Sequence, residues 1–447
     1  MKVLKFGGTS VGSPERIGNV ARLIAGRGRN IVVLSAMAGT TNTLIEIAGY
    51  LYKHNINAAK EVINDLERSY RRTVAILFTS VECRMEADLE VEAIFAFIRS
   101  LARDRFSEFE EREIVAQGEL LSTKLMHIYL RQAGVDAAFL PAMEFMRINK
   151  NGEADMEYIR RHLNDLLTEQ PDAPLYITQG FICRNAYGEI DNLQRGGSDL
   201  TASLIGAAVG AKEIEIWTDI DGMHNNDPRF VEGTAPVAEL LFDEAAELAY
   251  FGAKILHPTC VLPAKVNNIP VRLLNTMEPE KPGTLIYNTE SAHTIKAVAA
   301  KDNIIAIKIK SSRMMRASQF MRRVFEIFDN YNRPVDMIAT SEVGVSVTVD
   351  SPLNLEYIID DLKEIGTVTV DRDMVIICVV GDLEWHNRGF EADALDALRD
   401  FPVRMISYGG SNYNISFLVS SEDKVPALRA LQHRLFEESG NKLLISS

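Results

Sequence analysis

The chain has 447 residues, 47% of them hydrophobic and 25% charged, with a formal net charge of −14. That length exceeds the size at which single cores stop growing, so two or three domains of ordinary globular composition are expected. The acidic balance argues against a nucleic-acid surface, and no apolar run reaches membrane-spanning length or forms an N-terminal signal core, so no membrane role and a cytoplasmic setting are expected.

Cys83, Cys183, Cys260 and Cys378 lie far apart with no C-x-x-C pair. They are expected to be buried thiols in a reducing compartment, neither a zinc site nor a disulfide framework.

The apolar run Val3-Leu4-Lys5-Phe6 predicts a buried strand that breaks into Gly7-Gly8-Thr9-Ser10. Ser13 then suits an N-cap, Pro14 the first helical turn, and Ile17, Val20, Ala21 and Ile24 recur at helical spacing. Strand, glycine turn and helix together suggest a phosphate cradle, because the turn brings backbone N–H groups close and the helix aims its positive end there. No lysine follows the glycines as in a P-loop, and no third glycine stands at dinucleotide-fold spacing. Ile31 to Leu34 predicts a second strand, running into the small-residue turn Ser35 to Asn42.

Residues 57 to 115 read as a helical region set over a sheet. Gly118-Glu119 is expected to open a further helix whose Leu121, Leu125, Ile128 and Tyr129 share a face and which stops near Gly134. Strands are expected at 174–178 and 214–218, separated by the turn Gln194 to Asp199 and a helix from Leu200 to Val209. Pro270, Pro279, Pro282 and Gly283 close this α/β region, whose alternation implies a mostly parallel sheet. A linker is expected at 288–293.

The remainder contains an internal echo. Met337-Ile338 runs through a turn into Val345 to Val349, and Met405-Ile406 runs through Gly409-Gly410 into Ile415 to Val419, each after one helix and before another. Two βαββαβ modules are implied, at about 312–380 and at about 295–311 with 381–447. The expected partition is therefore 1–292 and 293–447.

Five segments carry a resemblance: Lys5 to Ser10, Gln117 to Ser122, Arg195 to Asp199, Trp217 to Asp219 through Asp227-Pro228-Arg229, and Phe251 to Pro258. In this order they resemble the motifs of the aspartokinases in the amino-acid kinase superfamily, most closely the monofunctional, lysine-sensitive forms. The tail resembles the family's paired regulatory ACT modules. The resemblance implies an amino-acid kinase fold, a mostly parallel sheet sandwiched by helices. It also implies phosphorylation of L-aspartate by ATP with Mg2+, giving 4-phospho-L-aspartate. The residue types suit that chemistry: a carboxylate nucleophile is already ionised, so catalysis reduces to aligning two anions and neutralising charge.

By resemblance Lys5, Asp199 and Lys254 form the catalytic set. The two lysines act as point charges, Asp199 orients them, and Gly7, Gly8 and Gly197 present amides. Arg195 would take the α-carboxylate of aspartate and Glu119 its α-ammonium, with Thr41 and Ser198 adding hydrogen bonds. Phe6, Thr218, Asp219, His224, Arg229 and Ile255 match the nucleotide stretch, joined by Lys5, Gly7, Gly8 and Lys254. His224 replaces a usual tyrosine and Gln194 a usual glycine. His257 reads as a core or turn histidine.

In the tail Met315, Phe320, Val335, Asp336, Ser341 and Glu342 resemble positions that hold lysine in lysine-inhibited members, although Met315 and Phe320 suit a core equally well. Ala317 and Gln319 depart from that pattern. An amino-acid effector is expected, lysine favoured and threonine possible, as is a homodimer or homotetramer built through the modules. The chain ends at Ser447, so no fused homoserine dehydrogenase is expected. The alternatives are a kinase of the same superfamily acting on glutamate or acetylglutamate, and a non-catalytic amino-acid sensor.

Overall fold

The computed structural model describes residues 1–103, 105–193, 196–252, 256–288, 295–311, 316–341, 343–384 and 386–438. They form two compact units, Met1–Gly222 with Leu256–Asn288, and Met223–Ile255 with Thr289–Ser447. The expected linker at 288–293 therefore lies almost wholly outside the described residues. Residues 223–255, expected to belong with the first 292, group with the tail.

In the first unit, β1 (Lys2–Phe6) lies at the centre of the sheet and pairs in parallel with β2 (Asn30–Leu34) on one side. β2 is followed outward by β4 (Leu175–Gln179) and then β3 (Ala138–Leu140), both parallel. On the other side β1 pairs with β7 (Ile214–Thr218), which pairs with Val271–Asn275; the antiparallel strand Thr284–Tyr287 follows. β2 and β4 are buried at every residue, as strands covered on both faces must be. A separate hairpin is formed by β5 (Ile182–Arg184) and β6 (Ile190–Asn192).

The helices are α1 (Pro14–Ile24), α2 (Thr40–Tyr52), α3 (Ile56–Leu77), α4 (Val81–Leu101), α5 (Glu108–Gln132), α6 (Ala142–Phe145), α7 (Met156–Glu169) and α8 (Gly197–Val209). α1 starts as expected: Ser13 Oγ accepts from Arg16 N at 3.3 Å, Pro14 stands in the first turn, and Ile17, Val20, Ala21 and Ile24 are buried. The helical region 57–115 is α3, α4 and the start of α5, with Ile63, Tyr70, Val74 and Leu77 of α3 packed in the same core as β1 and β2.

A further expectation is corrected at Gly118. Gly118 and Glu119 do not open a helix; they lie in the middle of α5, which begins at Glu108 behind a Ser107–Glu110 capping box. The glycine serves contact rather than termination. A Cβ at Gly118 would stand 2.9 Å from the Ala36 Cβ, so only glycine lets α5 cross so close over the turn after β2.

In the second unit the strands form one antiparallel sheet in the order Ile338–Ser341, Gly344–Val349, Ile295–Ser311, Gly366–Gly381, Asn414–Ser420, Met405–Tyr408. The first run, from 295–311 to 366–381, is βαββαβ, whereas the second, from 366–381 onward, is βαββα among the described residues, and 295–311 does not belong to the second module alone. Residues 305–310 pair with Gly344–Val349 in the first module, whereas 295–301 pair with the half of 366–381 that faces Asn414–Ser420. The two long strands thus serve both modules. At the junction the register shifts between Lys301 and Ala306, and Asn303 and Asp373 take positive φ. Each module has its own core, one around Ile307, Phe328, Val347 and Leu362, the other around Ile377, Phe417, Leu428 and Leu431.

Candidate active site

The carboxyl ends of the central parallel strands are where open α/β sheets place ligands. Here β1 ends at Phe6 and the chain turns through Gly7-Gly8. Gly7 N donates to Trp217 O at 3.2 Å, Ser10 N to Gly7 O at 3.0 Å, and Ala38 N to Gly8 O at 3.1 Å. The turns after β1 and β2 therefore lie against each other, so tightly that a Cβ at Gly8 would meet Ala36 O at 2.9 Å. Ser10 Oγ shares a 2.7 Å hydrogen bond with Thr276 Oγ1 beneath the turn. Trp217, whose carbonyl anchors Gly7, is held by Nε1 donating to Glu215 Oε2 at 3.0 Å and by stacking on Phe6 at 5.8 Å. Glu215 is itself buried and paired with Lys2 at 2.8 Å and Arg27 at 3.0 Å.

Lys5 and Asp199, 194 positions apart in the chain, meet here. Lys5 Nζ lies 2.6 Å from Asp199 Oδ1, with only 11% and 12% of the side chains exposed. Asp199 and Ser198 sit in the first turn of α8, whose free amides point the same way as its positive end. Ser198 is also packed against Gly180 at the end of β4. Cys260 Sγ donates to Gly196 O at 3.2 Å, and His257 Nδ1 bonds Thr259 Oγ1 at 2.7 Å, so His257 is an exposed turn histidine.

Glu119 is 3% exposed. Its Oε1 accepts from Ala36 N at 3.2 Å, while Oε2 is buried without a partner. Burial raises the carboxyl from 4.5 to about 7, against the lowering effect of the Ala36 hydrogen bond. A buried carboxylate with one free oxygen is a ready acceptor for a cation. Ser122 Oγ reinforces the same contact, donating to Ser35 O at 2.8 Å. Thr41 follows Thr40 at the start of α2.

Thr218 and Asp219 follow β7, with Thr218 Oγ1 donating to Asp219 Oδ1 at 3.1 Å. His224 and Arg229 belong to the second unit. There His224 Nδ1 pairs with Thr234 Oγ1 at 3.1 Å, and Arg229 folds onto Asp227, with Nη2 at 2.6 Å from Oδ2. Their segment is built into the second module: Val231 joins its core, and the buried Asn226 Nδ2 donates to Leu428 O at 3.0 Å. Arg195, Lys254 and Ile255, and in the tail Met315 and Glu342, lie outside the described residues.

Of the expected effector residues, Phe320 is in the core of the first module and Val335 packs against it. The Asp336 side chain is buried, with Oδ1 accepting from Tyr250 at 2.7 Å and from Lys301 at 2.6 Å and Oδ2 unpartnered. Ser341 is exposed, its Oγ 3.4 Å from Gly344 O.

The model of the amino acid kinase family matches residues 1–275, and an ACT domain model matches 377–435. The chain is 35% identical to aspartokinase 1, chloroplastic, of Arabidopsis thaliana, over 98% of this chain and 80% of that protein. It is 33% identical to lysine-sensitive aspartokinase 3 of Escherichia coli K12, over 97% and 99%. The crystal structure of E. coli aspartokinase III in complex with aspartate and ADP superposes with a TM-score of 0.79, at 33% identity, covering 98% of this chain and all of that one. The chain belongs to the aspartokinase family.

Within this aspartokinase, reading the sequence missed the residues that hold the turns in place: Ser122, Thr276, Glu215 and Tyr70. Glu215, between Ile214 and Ile216, carries a sequence signal, a charged side chain inside an otherwise apolar strand, whereas Tyr70 sits in the polar run Glu67 to Thr73 and carries none. Among the described residues no helix is long and apolar enough to cross a membrane.

Proposed function

We propose that this aspartokinase transfers the γ-phosphoryl group of ATP to the side-chain carboxylate of L-aspartate, through the residues named above. The observation that carries the residue assignment is the buried Lys5–Asp199 pair beside two abutting glycine turns, in the same unit as a buried glutamate with a free oxygen. Lys5 and Lys254 neutralise the phosphates, Asp199 orients the lysine head group, and the amides of Gly7, Gly8 and Gly197 face the developing charge. Glu119 holds the substrate ammonium and Arg195 its α-carboxylate, with Thr41 and Ser198 alongside. Phe6, Thr218, Asp219, His224, Arg229 and Ile255 receive the nucleotide.

Among the described residues no group of three or more His, Cys, Asp or Glu side chains is placed to hold an ion. Mg2+ usually keeps several waters and binds through one or two carboxylates plus substrate phosphates, so with ATP bound it would add charge neutralisation at the phosphates.

Residues 1–292 supply the catalytic part and 293–447 the regulatory part. An amino-acid end product inhibits through the first module, at Met315, Phe320, Val335, Asp336, Ser341 and Glu342. Lysine is favoured because the E. coli relative is named lysine-sensitive and has a structure with lysine and aspartate bound. Self-association through the modules and a cytoplasmic location complete the reading. The test is ADP release with aspartate, glutamate or acetylglutamate as acceptor, with and without lysine or threonine. Turnover with aspartate alone, lost in Lys5→Ala, is expected; full turnover in Lys5→Ala refutes the assignment.

A further inference from the structure

The turn after β2 is gripped from one side by α5, through Glu119, Ser122 and the close approach at Gly118. From the helical layer a phenol reaches it. Tyr70, on α3, has its ring buried against Phe95, with centroids 6.0 Å apart, and its hydroxyl 2.9 Å from Thr40 Oγ1. Both residues are 3% exposed. Burial, with a further contribution from the nearby Glu119 carboxylate, pushes the phenol well above its ordinary range, so the hydroxyl keeps its proton. Thr40 is the first residue of α2, directly before Thr41, and its own N–H turns back to Met37 O at 3.0 Å. The hydroxyl pair is thus a fixed strut between the helical layer and the turn that carries Ala36 and Thr41.

We propose that Tyr70 is a positioning residue for the amino-acid pocket: through Thr40 it holds the start of α2 in register with Glu119, so that the ammonium acceptor and Thr41 are set before substrate arrives. This rests on the reading of Glu119 and Thr41 as the aspartate pocket. The ring supplies packing and the oxygen supplies position, and the two can be separated. Tyr70→Phe keeps the ring and strands the Thr40 hydroxyl in an apolar setting, because the small cavity beside it is lined mainly by Leu44, Leu66, Ile94, Phe95 and Leu121.

The experiment compares Tyr70→Phe, Thr40→Val, Thr40→Ser and the Tyr70→Phe/Thr40→Val double variant in steady-state ADP release, with KM for aspartate and for ATP measured separately. Tyr70→Phe and Thr40→Val should each raise the aspartate KM roughly three- to tenfold while leaving the ATP KM unchanged. Thr40→Ser should restore the wild-type value, and the double variant should be no worse than either single. A merely structural role would move both KM values together or add in the double variant, and either result overturns the proposal. So does an unchanged aspartate KM in Tyr70→Phe. Glu119→Gln is run in parallel: if it alters the aspartate KM while Tyr70→Phe does not, only the strut fails; if Glu119→Gln is silent, the pocket reading falls and the strut with it.

Discussion

Glu119→Gln should stabilise the substrate-free protein while impairing it as a kinase. The amide oxygen can still accept from Ala36 N, so the change removes a buried charge and little else. The carboxyl rises from 4.5 to about 7, and at 1.36 kcal/mol per pH unit that displacement is worth about 3 kcal/mol. The sign follows from proton binding: a carboxyl with a raised value binds its proton more tightly in the folded state. Ionisation therefore costs nothing below about pH 4.5, an increasing amount up to pH 7, and the full amount above it. The glutamine variant should match wild type in thermal melts at acid pH and exceed it by about 1 to 3 kcal/mol at alkaline pH, a shift of a few degrees in a chain of this size. The same substitution removes the partner of the substrate ammonium, so the aspartate KM in an ADP-release assay should rise on the order of a hundredfold. For the wild type, acidification through pH 7 should raise the aspartate KM, because the protonated carboxyl has lost its charge. A glutamine variant less stable than wild type at alkaline pH, or one with an unchanged aspartate KM, would refute this reasoning.

Lys5→Met leaves Asp199 buried without its cation and removes a charge from the cradle; kcat should fall by on the order of 10² to 10³, measured by coupled ADP release. Gly8→Ala forces a methyl to within 2.9 Å of Ala36 O, so the turns after β1 and β2 must part. A raised ATP KM and a loss of about 1 to 3 kcal/mol in denaturant melts are expected, and wild-type behaviour in both would show that the abutment is not needed. All four cysteines are buried, and burial pushes the Cys183 and Cys260 thiols up to about 12. A chromogenic disulfide reagent should find no fast-reacting thiol in the native protein and four after denaturation, whereas a fast native thiol would contradict this packing.

Local signals in the sequence carried far. Ser13-Pro14 marked the start of α1, and the glycine turn after Phe6 marked the end of β1. The meeting of Lys5 with Asp199 was legible only through resemblance, because nothing local joins residues so distant. Gly118 shows where local reading fails. A glycine ahead of an apolar periodicity reads as punctuation, yet here it is a contact surface between α5 and another turn, and close approach between elements leaves no periodic trace. The grouping of 223–255 with the tail was hidden for a similar reason. It depends on Val231 entering a core supplied by residues after 295 and on Asn226 bonding Leu428. The division of 295–311 between two modules turns on a shift of register near Ile304, which apolar alternation does not reveal.

Because the strands Ile295–Ser311 and Gly366–Gly381 each run through both modules, neither module has a covalent border at which it could be excised. A truncation that removed one would amputate the spine of the other. Swapping a regulatory half between relatives would succeed only as an exchange of the pair, and a tug on one half has a stiff, continuous ribbon along which to reach the other.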